Sequence, residues 1–416
     1  MQTIEIEHID IDQLRPDPAN PRRISDAELE TLTRSIQEFG FVDPVIARRE
    51  DKVVIGGHQR LVAARKLGVK KVPVVFLDIS VEQARLLNIA LNKISGSWDQ
   101  ELLARLLADL NQAPAIDLTL SGFDNEEIKK LLKRLDVREK LARPESFDLE
   151  EALEASQAAP VAQRGDLFLL GDHRLLCGDS THADDVERLM NGEKASLMAT
   201  DPPYLVDYQG GNHPASKSNK GNPKRDKHWD DYHDPETSVE FFKKFIAVAL
   251  PHLKENSAIY QWHASLRSDV VFRAWKESGL LVHQVIIWVK ARTVLTHSHY
   301  LWQHEPCCYG WVEGKKPTRK PPSNETTVWH VDQQGSSDNI HPTQKPVELF
   351  LRPISYHTEP GDISYEPFSG SGTCIIAAER LGRRCYAMEQ APQYVDVARM
   401  RWEAFTGLKA ERLQQQ

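Results

Sequence analysis

Ala195-Ser196-Leu197-Met198-Ala199-Thr200-Asp201-Pro202-Pro203-Tyr204 runs from six small or apolar residues straight into an acid, two prolines and an aromatic ring. A short apolar run bounded by a proline turn reads as a buried strand. The residues at its mouth read as a clamp. In a flat heterocycle with an exocyclic amine, such as adenine or cytosine, the amine lone pair is delocalised into the ring. Hydrogen bonds from that amine to the Asp201 carboxylate and the Pro202 carbonyl draw the nitrogen towards tetrahedral geometry and free the lone pair for attack. Proline fixes φ, so Pro202 and Pro203 hold both acceptors at a set angle, as a near-attack geometry requires. Tyr204 adds a ring face for a base swung out of its stack. A plain Asp-Pro turn at a strand end is the bland alternative. The second proline, the tyrosine and the buried strand argue against it.

A second stretch lies far downstream. Glu366-Pro367-Phe368-Ser369-Gly370-Ser371-Gly372-Thr373 follows the apolar run Ile363 to Glu366 and opens a helical pattern. Small residues let a backbone approach a ligand closely, and the first turn of a helix presents unpaired N–H groups. The next strand pattern, Cys385 to Met388, ends in Glu389. An acid there can accept both hydroxyls of a ribose; a helix-capping acid ahead of Pro392 is the alternative. No Gly-Lys-Ser/Thr follows the glycines, which excludes a phosphate loop. A nicotinamide fold leaves the Asp201 to Tyr204 clamp unexplained. S-adenosylmethionine has a ribose diol, an amino-acid end and no phosphate, so it suits this turn.

Strand and helix signals alternate around both motifs. Strands are expected at Leu167 to Leu170, Leu175 to Cys177, Leu197 to Thr200, Ala258 to Trp262, Val282 to Val289, Cys307 to Trp311, Ile363 to Glu366 and Cys385 to Met388. Helical patterns fall between them. That alternation implies an α/β domain with a largely parallel sheet covered on both faces, and ligands at the carboxyl ends of its strands. Upstream, Ile4 to Ile9 and Val72 to Leu77 read as strands. Gly56-Gly57 turns into a helix from His58, and helices are expected at Val81 to Ala90, Asp99 to Leu110 and Asn125 to Leu135. The expected organisation is a first domain over residues 1–138, an acidic linker over 139–163 with one short helix from Leu149, a second domain over 164–408 and a tail over 409–416.

A chain of 416 residues is long for one core, and 40% hydrophobic with 27% charged residues is ordinary for a globular protein. No apolar stretch reaches the roughly 18 residues of a membrane span, and the N-terminus has no secretory pattern. The five cysteines form no C-x-x-C pair, so a cytoplasmic location fits and a zinc site does not. Net charge is −8, but cations cluster at Lys217, Lys220, Lys224, Arg225 and Lys227, and again at Lys315, Lys316 and Arg319. Local basic surfaces of this kind can hold a duplex; solvated loops are the alternative.

The residues from about Gln163 to Gly407 resemble the amino-group DNA methyltransferases that act on adenine N6 or cytosine N4. The clamp precedes the Gly-rich turn, which is the circularly permuted order of the β-group of that family. Gly178-Asp179-Ser180, Trp288-Val289-Lys290, His304-Glu305-Pro306 and His341-Pro342-Thr343-Gln344-Lys345-Pro346 agree with it as well. The resemblance implies a Rossmann-like class I methyltransferase domain in which Asp201, Pro202, Pro203 and Tyr204 form the catalytic loop. It implies S-adenosylmethionine as cofactor, held by Phe368, Gly370, Ser371, Gly372, Thr373 and Glu389. Asp179 falls near its adenine, and Thr343 and Lys345 near its methionine end, where Lys345 is a cation for the carboxylate. Asp at position 201 leans towards adenine. Double-stranded DNA is the expected partner; a homodimer is allowed and a membrane is not.

The first domain resembles the smaller α+β ParB/sulfiredoxin-like fold through Asn20-Pro21-Arg22 and Gly56-Gly57-His58-Gln59-Arg60. Asn20, Arg22, Gly56, Gly57, His58 and Arg60 then form an anion seat at a helix N-terminus. DNA binding, nucleotide binding and nuclease roles all stay open, and Gly57 stands where a sulfiredoxin has its cysteine. Three rival readings remain. One is a partition-type binding module with a vestigial second half. Another is amide methylation of a protein glutamine, which uses Asn where Asp201 stands. The last, cytosine C5 methylation, needs a cysteine nucleophile; Cys307 lies in an apolar strand pattern and reads as a core thiol.

Overall fold

The computed structural model describes residues 5–93, 97–113, 116–205, 234–294, 299–331 and 345–413. The chain divides into two compact units, Met1–Glu139 and Lys140–Gln416. The first carries β1 (Ile6–Asp10), β2 (Arg22–Arg23), α1 (Asp26–Phe39), β3 (Val45–Arg48), β4 (Val54–Gly56), α2 (His58–Lys66), β5 (Lys71–Leu77) and α3 (Val81–Asn92). After them come β6 (Ser97–Trp98), α4 (Gln100–Asn111) and α5 (Asn125–Ala142). The sheet order is β1-β5-β3-β4. Its inward residues Val45, Ala47, Val72 and Val74 pack with Leu61 and Ala64 of α2. A second core joins Leu86 and Ile89 of α3 to Leu103 and Leu107 of α4 and Leu131 and Leu135 of α5. These leucines recur at helical spacing, which is why that stretch folds as helices.

The second unit holds α6 (Leu149–Ala158), β7 (Leu167–Leu170), β8 (His173–Cys177), α7 (Ala183–Met190), β9 (Ala195–Thr200), α8 (Pro235–Ala249) and β10 (Leu253–Trp262). It continues with α9 (Ser268–Glu277), β11 (Leu280–Val294), β12 (Trp302–Val312), β13 (Val328–His330), α10 (Glu348–His357) and β14 (Ile363–Glu366). The last elements are α11 (Thr373–Leu381), β15 (Arg384–Glu389), α12 (Pro392–Thr406) and β16 (Glu411–Leu413). Among the described residues, ten strands form one sheet in the order β13-β11-β12-β10-β9-β14-β15-β8-β7-β16. The central strands β10, β9, β14, β15 and β8 run parallel. Successive residues of β9 feed opposite faces: Leu197 and Ala199 enter one core and Met198 the other, as a strand buried on both sides requires. Antiparallel pairs enter at the flanks, where β12 is antiparallel to β10 and to β11, and β7 is antiparallel to β8, while β13 pairs parallel with β11.

Two stretches differ from expectation. Residues 139–163 are not a bare linker. Leu149 and Ala152 of α6 bury against Val397 of α12, and the Asp396 carboxylate accepts the N–H groups of Val161 and Ala162. Two apolar residues three apart within an acidic run suffice to seat one helical turn. Nor is the end of the chain a tail: β16 pairs with β7, and Arg412 meets Asp166 at 2.6 Å. Among the described residues no helix is long and apolar enough to cross a membrane.

Candidate active site

β9 and β14 lie side by side and parallel, with Leu197 opposite Ser364 and Met198 opposite Tyr365. Asp201 and Phe368 therefore leave the sheet at the same end. Glu366, only 1% exposed, joins the two strand ends. It accepts hydrogen bonds from the Thr200 hydroxyl at 2.8 Å and the Phe368 N–H at 3.0 Å. Burial raises its carboxyl well above the usual range. Glu389 and Cys177 are opposite each other on β15 and β8, so Asp179 follows at that same end.

The clamp sits in an ionic cluster. The ammonium of Lys345 lies 3.0 Å from Asp201 Oδ2, 2.8 Å from Glu305 Oε2 and 2.7 Å from the Tyr204 hydroxyl. Tyr204 in turn donates to Glu305 Oε2 at 2.8 Å, and Lys290 reaches Glu305 Oε1 at 2.5 Å. The rings of Tyr204, Trp262 and Trp288 surround the Lys345 ammonium at 5.1 to 5.8 Å, a favourable setting for a desolvated cation. Burial pushes the Asp201 carboxyl up and Lys345 pulls it back. Burial also opposes the charge on Glu305, but Lys345 and Lys290 outweigh it and hold that carboxyl down at about 2. Lys345 is charged: burial opposes its cation, and the two carboxylates more than offset that.

Among the described residues, one oxygen of this cluster has no partner: Asp201 Oδ1 is buried and meets no hydrogen-bond donor there, while Oδ2 faces Lys345. A buried acceptor left empty is costly unless a ligand donor fills it. Just beyond the clamp, Leu205 is held at φ 51° with its side chain buried. A left-handed leucine costs on the order of 1–2 kcal/mol, so the loop shape is imposed by its surroundings.

The Gly-rich turn has the features of a ligand cradle. Gly370 has φ 50° and Gly372 φ 80°. No atom lies within 4 Å of where a Cβ on Gly370 would sit, whereas one on Gly372 would meet the Ala398 Cβ at 2.9 Å. The first glycine thus leaves open space and the second lets α12 pack closely. Ser369 Oγ is buried with no partner among the described residues. Glu389, buried at the end of β15, accepts the N–H groups of Gly370 and Ala391 at 2.9 Å, and burial raises its carboxyl. Asp179 Oδ1 accepts from the Thr181 N–H and hydroxyl. These residues fit S-adenosylmethionine: Glu389 and Asp179 offer acceptors, and Ser369 and Gly370 offer room and an unused hydroxyl.

Lys345 lies in the clamp, where Asp201 and Glu305 are its ion-pair partners. The side chains of Ser371 and Thr373 turn to Arg401. The Phe368 ring packs on Phe241 and Phe245. Lys315, Lys316 and Arg319 follow β12 at the end of the sheet away from Asp201. There Lys315 pairs with Glu255 and Arg319 with Glu359, so this patch is not placed to meet a base at the clamp. Thr343, Lys217, Lys220, Lys224, Arg225 and Lys227 lie outside the described residues. Sequence reasoning gave no role to Glu305, Lys290, Trp262 or Glu366. A charged residue set in an apolar strand pattern, as Glu305 and Glu366 are, was the available signal.

In the first unit, Gly57 has φ 94° and opens α2. His58 Nε2 accepts the Asp17 N–H at 3.4 Å, which ties the turn before Asn20 to that helix start. Burial lowers the His58 pKa to about 4, so the ring is neutral near pH 7. Arg60 donates to the carbonyls of Asp43 and Pro44. A Cβ on Gly56 would meet Leu91 Cδ1 at 3.2 Å, and Arg22 pairs through its backbone with Trp98.

Residues 195–400 match the DNA methylase family, residues 1–93 the ParB N-terminal domain and residues 101–164 the ParB-methyltransferase HTH domain. The helix-turn-helix match was missed in the sequence. The chain is 27% identical over 243 residues to the type II methyltransferase M2.DpnII of Streptococcus pneumoniae, covering 54% of this chain and 88% of that protein. It is 26% identical over 203 residues to the putative methylase YubD of Escherichia coli (strain K12), covering 49% and 79%. A crystal structure of an M1.HpyAVI–SAM complex is similar with a TM-score of 0.41 at 24% identity, over 55% of this chain and 97% of that one.

Proposed function

We propose that this chain, which belongs to the DNA methylases and carries a ParB N-terminal domain ahead of the methylase part, moves the methyl group of S-adenosylmethionine to adenine N6 in double-stranded DNA. The observation that supports this most is the empty, buried Asp201 Oδ1 beside an ion-paired Oδ2. An amine N–H satisfies that oxygen, and the second N–H meets the Pro202 carbonyl. Lys345 fixes Asp201 by its other oxygen, and its charge works against the rise that burial gives this carboxyl, so the free oxygen is held in place to accept an amine N–H. Tyr204, anchored by its hydroxyl to Glu305, presents its ring to an everted base. When bound, S-adenosylmethionine supplies an electrophilic methyl on sulfur, and Glu389, Asp179, Gly370 and Ser369 hold it. Catalysis by this chain is then orientation of the amine and exclusion of water. Aspartate at position 201 favours adenine over cytosine.

Mapping modified bases in DNA from cells expressing the chain tests the proposal. N6-methyladenine in a fixed sequence context is expected, and Asp201→Ala abolishes it. N4-methylcytosine in the map replaces adenine by cytosine as the target. Modification unchanged in Asp201→Ala overturns the clamp.

A further inference from the structure

The Gly-rich turn is braced from outside the stretch that matches the DNA methylases. Arg401, one residue beyond that match and only 1% exposed, sends Nη1 to the Ser371 carbonyl at 3.1 Å, the Ser371 hydroxyl at 3.2 Å and the Thr373 hydroxyl at 3.0 Å. Its other nitrogens face one carboxylate, Glu145: Nε meets Oε1, and Nη2 meets Oε2 at 3.2 Å. This is a fork-to-fork pair, the geometry that fixes a guanidinium plane as well as its charge. Glu145 lies within the segment that matches the ParB-methyltransferase HTH domain.

Glu145 is itself fastened on both sides. Lys140 pairs with Glu379 at 2.7 Å, Arg143 donates to the Phe405 carbonyl, and Arg380 donates to the Arg143 carbonyl. Behind it, α6 is capped by Asp148 and buries Leu149 and Ala152. Residues 140–158 therefore form a strap over α11 and α12, and the carboxylate reaches through Arg401 to the turn.

We propose that Glu145 is a positioning residue for the cofactor turn. By orienting the Arg401 guanidinium it sets the backbone of Ser371 and the start of α11, and thereby the affinity of the turn for S-adenosylmethionine. The inference rests on the reading that this turn holds that cofactor. A buried guanidinium without its carboxylate seeks another partner, and the groups nearest to it are those of the turn.

Calorimetric titration of the full-length chain with S-adenosylmethionine tests this, using Glu145→Gln, Glu145→Asp and Leu149→Ala. Glu145→Gln is expected to weaken binding roughly tenfold, within the coupling range of groups sharing one network. Glu145→Asp recovers part of the loss because it restores the charge. Leu149→Ala loosens the strap without touching the ionic chain, and leaves affinity within about twofold of wild type well below its unfolding temperature. Affinity unchanged in Glu145→Gln overturns the proposal. So does an equal loss in Leu149→Ala, which reduces Glu145 to a structural anchor. Absence of binding by the wild-type chain instead overturns the cofactor reading and not the brace.

Discussion

Glu305 shows how single residues set the chemistry of the clamp. It is pinned between Lys345 and Lys290, and the two cations hold its carboxyl at about 2 against an ordinary value of 4.5 although burial works the other way. The folded protein then binds fewer protons at this site than the unfolded chain as pH falls from about 4.5 to about 2. The stabilisation is fully present above the unfolded value and drains away below it. The lost contribution is on the order of 3 kcal/mol. Glu366 has the opposite sign, since burial raises its carboxyl and its contribution falls as pH rises; it cancels when two proteins that both keep it are compared. Urea denaturation of wild type and Glu305→Gln from about pH 6 down to about pH 3 isolates the Glu305 share. Wild type is expected to lose more stability than the variant over that interval. Parallel curves remove the ion cluster from the account of the clamp.

At the level of elements, α5 carries the prediction. Its buried face is Ile128, Leu131 and Leu135, and Lys130, Lys133 and Arg134 stand exposed beside it. Those cations are suited to phosphates, and the helix lies inside the helix-turn-helix match. The double substitution Lys133→Ala with Arg134→Ala is expected to weaken DNA binding across all sequences. It is also expected to flatten the dependence of log K on log salt by about 2, one unit per lost phosphate contact. An unchanged salt slope takes α5 off the DNA. The sequence predicts a helix at Asn125 to Leu135 but gives its cations no role, because acids interleave with them. β9, β14 and β15 were legible because each is a short run of mostly small, apolar or aromatic residues closed by a turn. β16 was not, since all three of its residues are exposed and its pairing with β7 comes from the backbone. That Asp201, Gly370 and Glu389 follow or close neighbouring strands could be read from their motifs. The Glu305 and Lys345 contacts could not, because they join residues as far apart in the chain as Asp201 and Lys345.

For the molecule as a whole, the question is where the methylase unit begins. A boundary at residue 164 follows composition; a boundary at Lys140 follows contacts. The two predict different behaviour for truncated chains. Starting at residue 164 strips Glu145 from the buried Arg401, Leu149 and Ala152 from Val397, and two N–H groups from Asp396. An uncompensated buried charge alone costs about 3–5 kcal/mol, a large part of a typical folding free energy of roughly 5–15 kcal/mol. A chain starting at Lys140 keeps all of these and is expected to unfold in one cooperative urea transition and to bind S-adenosylmethionine with the affinity of the full chain. Its DNA affinity falls, because α4 and most of α5 are gone. The chain from residue 164 is expected to unfold at lower urea or to aggregate. Equal midpoints for the two truncations return residues 140–163 to the status of a linker, because a strap whose removal costs nothing was never part of the fold.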